Sequence, residues 1–134
     1  MPPEILGLGI DLCELDRMQR LLEKMGDRFL HRAYTAREIE YIGCGPSAAR
    51  RCAAVFAGKE AVVKCLGTGF SEGIGWRQVE IAPHAEIRGA WHVSLSGEAA
   101  RRAAAEGTSS WSVDIHVSRD HAAAIALWSR TEEL

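Results

Sequence analysis

The sequence has no cysteine pair at C-x-x-C spacing: its four cysteines, Cys13, Cys44, Cys52 and Cys65, stand apart and follow no secretory leader. That absence argues against a disulfide framework or a zinc knuckle and leaves reduced thiols in a cytoplasm as the expected state. No apolar run approaches the about 18 residues of a membrane span, and MPPEILGLG lacks the charged start and long apolar stretch of a signal peptide. No membrane partner is therefore expected. A basic excess is missing too, since 16 Lys and Arg face 18 Asp and Glu for a formal charge of −2. No nucleic-acid partner is expected, and any recognition of anions must be local. What is present is apolar material: 47% of 134 residues is hydrophobic, enough for a real core and a single domain over residues 1–134.

The patterning predicts an α+β fold in which a small antiparallel sheet packs against a long central helix. ILGLGID (5–11) alternates Leu6, Leu8 and Ile10 with Gly7 and Gly9, the period of a strand, and leaves Asp11 at its end. ELDRMQRLLEKM (14–25) carries Leu15, Met18, Leu22 and Met25 at helical spacing and stops at Gly26. Thr35 and Glu38 form a capping-box pattern that opens a short helix near residue 36, running to Gly43. SAARRCAAVFAGKEAVVKCL (47–66) is the longest helical candidate, mostly apolar and closed by Gly67. WRQVEIAP (76–83) and WHVSLS (91–96) read as strands, followed by the helix GEAARRAAAEG with Ser96 as its N-cap. SVDIHVS (112–118) and HAAAIALWS (121–129), split by Arg119 and Asp120, suggest a hairpin.

Several chemistries fail for want of one residue. G67-T-G69-F-S-E72 has glutamate where a dinucleotide fingerprint needs its third glycine, and it follows a helix instead of opening one. GKE at 58–60 lacks the Ser or Thr of a P-loop. His116 and His121 find no cysteine or acid at zinc spacing, and no G-x-S-x-G elbow supports a nucleophilic serine. What remains is Asp11 at the end of an apolar strand and Glu60 inside an apolar helix. A carboxylate in such surroundings needs a cation, a metal or an exposed edge. One reading pairs Glu60 with Lys64 across one helical turn and lets Asp11 cap the following helix. The other makes the two acids hard ligands for magnesium completed by substrate phosphate, with Lys59 and Lys64 neutralising the rest. Arg17, Arg20, Lys24 and Arg28 form a basic stripe, either a solvated face balanced by neighbouring acids or a docking strip for an acidic protein.

GIDLCELDR (9–17), FAGKEAVVKCLGTGF (56–70), GIGWRQVEI (73–81) and IHVSRDHAAAIAL (115–127), in this order, resemble the holo-acyl-carrier-protein synthases, the small 4′-phosphopantetheinyl transferases. The resemblance implies magnesium-dependent transfer of the phosphopantetheine arm from coenzyme A to a serine of an apo acyl carrier protein, releasing adenosine 3′,5′-bisphosphate. It implies Asp11 and Glu60 as Mg2+ ligands that also face the coenzyme A pyrophosphate. Lys64, with Lys59, would offset charge on the bridging oxygen. It implies Arg17 as a carrier-docking residue, a role the stripe of Arg20, Lys24 and Arg28 extends, and a homotrimer with sites at its interfaces. For the serine proton, a metal-bound water or hydroxide oriented by Glu38 or Glu40 is expected; Glu38 completes the capping box, so Glu40 is the preferred residue. HVSRDH, ahead of AAAIAL, fits the family's late motif, which places His116 and Ser118 near the coenzyme A nucleotide and leaves His121 open. Gly67 and the glycine after it let the chain turn beside the coenzyme.

The chain departs from the family in places. Arg119 and Asp120 replace a leucine-like residue and a Ser or Thr, and an added carboxylate near phosphates repels them unless Arg119 pairs with it. Val55 stands where the family favours arginine, a contact that falls away or passes to Arg50 or Arg51. These changes bear on coenzyme A affinity rather than on the reaction class. The alternative is a catalytically weak carrier-binding module. Whether the carrier serves fatty-acid or polyketide synthesis is not written in the sequence.

Overall fold

The computed structural model describes residues 3–67 and 73–130; Thr68, Gly69 and the rest of the glycine run lie outside the described residues. β1 (Glu4–Glu14) leads into α1 (Leu15–Met25), α2 (Asp27–Ala33), α3 (Ala36–Ile42) and the 19-residue α4 (Ala48–Leu66). A 3₁₀ turn (Trp76–Gln78), β2 (Val79–Pro83), β3 (Trp91–Leu95), α5 (Gly97–Ala104), β4 (Ser109–Val117) and β5 (His121–Arg130) complete the order. The strands form a three-stranded antiparallel sheet, β1-β5-β4, and a two-stranded one, β2-β3.

α4 is the axis of the molecule and packs against β1, β5, β4, β2, α1 and α3. Ala53, Ala57, Ala61, Val62 and Val63 are fully buried in it, small enough to let strands close on the helix from several sides. The closest approach is to β1. A Cβ built on Gly9 would lie 1.9 Å from the Ala61 carbonyl oxygen, and one on Gly7 would lie 2.4 Å from that of Cys65. The alternation predicted for β1 is there, with the glycine face inward. Leu8, Ile10 and Leu12 point away from the helix and are 60%, 59% and 63% exposed. A register shift between Ile5 and Gly7 lets Leu6 pack against the core.

Local signals act as expected in most places. Thr35 and Glu38 form a full capping box, and Gly67 closes α4 in the left-handed region at φ 80°. The β4–β5 turn is held by the Ser118 N–H donating to the His121 carbonyl at 2.8 Å. Other expectations need correction. Trp76–Gln78 is a helical turn, so the strand begins only at Val79. Ser96 stands at the N-cap of α5 without a side-chain capping bond. Gly26, at φ 55°, ends α1 and starts α2, which puts Arg28 on a different helix from Arg17, Arg20 and Lys24. The basic stripe therefore bends at Gly26.

Candidate functional site

Four elements converge on a cleft of about 340 Å³ at the free edge of β1. Phe56, Glu60 and Lys64 follow one another at four-residue spacing along one face of α4, and all three line it. β1 contributes Asp11, Leu12 and Cys13, α1 contributes Arg17, and the 3₁₀ turn contributes Trp76. The glycine contacts bring this about. Because Gly9 lets β1 lie against Ala61, Asp11, two residues on and on the same face, reaches the Glu60–Lys64 side of the helix.

The Lys64 ammonium donates to the Ile10 carbonyl at 2.8 Å and to Asp11 Oδ1 at 3.1 Å. Neither bland alternative for the two acids is realised: Lys64 bridges to the strand and not to Glu60, and Glu14, not Asp11, stands at the start of α1. Among the described residues no hydrogen bond or ion pair engages the Glu60 carboxylate, which stands inside the regular helix α4. Burial pushes its carboxyl above the usual carboxylate range, Asp11 adds to the rise, and Lys64 and Arg17 draw it back. Two carboxylates that repel each other in a half-open cleft are a donor set suited to a hard divalent cation. The described residues hold no group of three His, Cys, Asp or Glu side chains able to bind a metal. A cation here would rely on these two acids, substrate oxygens and water, as magnesium does.

Other expected site residues lie elsewhere. Lys59 is buried: its ammonium donates to Glu38 Oε1 at 2.7 Å and to the Val79 carbonyl at 2.5 Å. The expectation that it meets phosphate is corrected, because one step along a helix turns a side chain by roughly 100°, here from the cleft into the core. Desolvation pulls Lys59 down and Glu38 up, and their attraction opposes both shifts. Glu38 also accepts from the Thr35 and Ile81 N–H groups, so it cannot orient water in the cleft. The expectation that Glu40 orients a metal-bound water is also corrected, because Glu40 does not line the cleft. It lines a separate depression with Arg37, Tyr41, Ala82 and Pro83.

His116 and Ser118 are exposed at the end of β4, outside the cleft. Arg50 reaches the Ser118 carbonyl at 3.2 Å, whereas Arg51 is engaged by the Ile42 and Cys44 carbonyls. Val55 is fully buried. Arg17, Arg20, Lys24 and Arg28 are all exposed, and Arg17 alone of them reaches the cleft. Phe56 and Trp76 were not read as site residues. The four-residue spacing from Phe56 to Glu60 is the signal that could have found the first.

The family model of the 4′-phosphopantetheinyl transferase superfamily matches residues 7–126. The holo-[acyl-carrier-protein] synthase of Solidesulfovibrio magneticus is 46% identical over 123 residues, 92% of this chain and 97% of that relative. The fold is similar to the crystal structure of holo-[acyl-carrier-protein] synthase from Neisseria meningitidis, with a TM-score of 0.79 at 28% identity over 95% of this chain and 99% of that one. It is also similar to the holo-(acyl-carrier-protein) synthase of Bacillus anthracis in complex with CoA (3′,5′-ADP). There the TM-score is 0.75 at 25% identity, over 95% of this chain and 98% of that one.

Proposed function

As this chain belongs to the 4′-phosphopantetheinyl transferase superfamily and is an enzyme of the holo-[acyl-carrier-protein] synthase kind, we propose that it transfers phosphopantetheine from coenzyme A to a serine hydroxyl of an apo acyl carrier protein. Adenosine 3′,5′-bisphosphate is the other product. The observation that carries the reading is the cleft in which Asp11 and Glu60 meet Lys64 and Arg17. Asp11 and Glu60 would hold magnesium, which supplies positive charge to the pyrophosphate oxygens.

The serine hydroxyl yields its proton to water as its oxygen forms a bond to the phosphorus that bears the pantetheine arm. The bond from that phosphorus to the bridging oxygen breaks, and its electron pair leaves with the bisphosphate. Lys64 has three ammonium donors, and protein acceptors take two. The third can meet the bridging oxygen as charge grows there. Arg17, exposed at the mouth of the cleft, together with Arg20, Lys24 and Arg28, offers positive charge to an acidic carrier surface.

The cleft is at the small end of ligand sites, too small for a whole coenzyme A, so the nucleotide needs another surface. Leu8, Ile10 and Leu12 on β1 and Ile125 on β5 make an exposed apolar face on the sheet. Leu12 belongs both to that face and to the cleft. Copies of the chain meeting there, as a homotrimer, would border each cleft with a neighbour. His116 follows Ser112 and Asp114 on the exposed side of β4 and is available to the nucleotide in such an assembly. The proposal extends to one transferase domain across the chain and to a cytoplasmic setting. No helix among the described residues is long and apolar enough to cross a membrane.

Intact-mass spectrometry of an apo carrier protein incubated with coenzyme A, magnesium and this protein tests the reading. The expected result is a gain of one phosphopantetheine per carrier. Carrier binding without that gain at high protein concentration would overturn it in favour of a binding module.

A further inference from the structure

The apolar half of the cleft has a built character that the reaction so far leaves unused. Phe56 and Trp76 stack with ring centroids 4.9 Å apart and planes 27° from parallel. Both rings line the cleft that holds Asp11 and Glu60. Phe56 lies one helical turn before Glu60, and Glu60 one turn before Lys64, so the wall grades from aromatic to anionic to cationic along α4.

The 3₁₀ turn that carries Trp76 is braced from several directions. The Gln78 side chain donates to the Gly73 carbonyl at 3.1 Å and accepts from the Ala99 N–H at 3.1 Å. The Gln78 N–H donates to the Gly75 carbonyl at 3.1 Å, and its carbonyl accepts from the Ser96 N–H at 2.9 Å. An aromatic pair held in place beside two carboxylates and a lysine suits a ligand in which an uncharged branched segment adjoins a phosphate.

Resting on the proposed transferase reading, we infer that Phe56 and Trp76 form the seat for the dimethyl-branched segment of the pantetheine arm, the part of coenzyme A joined directly to the phosphate that is transferred. Contact with the rings holds that segment and so fixes the direction the phosphorus presents to the incoming serine. The bisphosphate product has no such segment and leaves the wall bare. The seat therefore distinguishes donor from product, two molecules that share the same nucleotide.

The test is calorimetric titration of coenzyme A and of adenosine 3′,5′-bisphosphate, each with magnesium, into the parent, Trp76→Ala and Trp76→Phe. Melting curves show which variants remain folded, and Trp76→Phe keeps an aromatic ring if the alanine variant does not fold. Coenzyme A should bind Trp76→Ala about tenfold more weakly, the weight of one partly buried apolar contact. Trp76→Phe should recover most of that loss. Bisphosphate affinity should change less than about twofold, and the KM for the carrier should stay at the parent value.

Equal loss for both ligands, loss for neither, or a rise confined to the carrier KM would overturn the seat. A parent that binds both ligands with this discrimination but transfers nothing to the carrier refutes the transferase reading and leaves the seat standing. A parent that binds no coenzyme A overturns both.

Discussion

Glu60 and Lys59 are neighbours in sequence with opposite surroundings, and substitutions at the two should separate accordingly. Asp11→Asn and Glu60→Gln each remove a charged oxygen donor from an open cleft. Magnesium-dependent transfer should fall by at least about a hundredfold while circular dichroism and melting temperature stay near the parent. Activity within a few fold of the parent would exclude the metal assignment. Lys59→Met should behave in the reverse way, since it leaves Glu38 charged, buried and without its cation. A loss of about 3–5 kcal/mol in denaturant unfolding is expected, with transfer per folded molecule little changed. The acids at 11 and 60 were legible because a carboxylate in an apolar run demands a partner. The fate of Lys59 was not, because composition does not reveal which side of a helix will be covered on every flank. Trp76 escaped notice because nothing within one strand-like segment says that a ring will cross to meet Phe56.

At the scale of elements, the site depends on how near β1 comes to α4. Gly9→Ala would put a methyl group 1.9 Å from the Ala61 oxygen and 3.1 Å from the Lys64 Cβ. The strand must retreat, and Asp11 retreats with it. A stability loss of at least about 1–3 kcal/mol is expected in urea melts, with a fall in transfer greater than the loss of folded protein. Transfer that follows the folded fraction would show that the approach serves packing alone. The period of β1 was readable from sequence, but its inward face was not. Three leucines and isoleucines against two glycines suggest an apolar interior, and the glycines win because only they admit the helix backbone. α2 was missed for another reason: its seven residues carry too little periodicity to stand out after Gly26.

For the whole molecule, three of the four thiols are enclosed and Cys44 is exposed. Burial raises Cys13 and Cys65 to about 11 and Cys52 to about 12 from an ordinary value of 9.0. The folded chain keeps these protons where the unfolded chain has lost them, so stability is whole below pH 9 and falls as pH rises through the folded values. Each thiol should contribute a slope of about 1.4 kcal/mol per pH unit in that window. Urea unfolding of the parent and Cys52→Ala between pH 8 and about 11 isolates one of these slopes; identical slopes would contradict the burial. The proposed assembly belongs to the same scale. Ile10→Glu places a charge on the exposed apolar face, and sedimentation should show a smaller species with a folded spectrum. An unchanged mass would move the interface elsewhere. The order of elements and the central helix were legible because capping, glycine stops and periodicity agree along the chain. The exposed apolar face on which copies are proposed to meet was not, since an outward strand face and an inward one share the same alternation.

The alternation in β1 has a consequence for how the sequence can vary. Positions 7 and 9 abut helix carbonyls, so in a saturation library even alanine should be depleted there, in every host and at every expression level. Positions 8 and 10 face outward, and polar replacements there should harm only the proposed meeting of copies. Overexpression should therefore rescue mild variants at the even positions and none at 7 and 9. A heat map of tolerance over positions 7 to 10 would read as two interleaved signals, one set by the folding of a single chain and the other by its abundance.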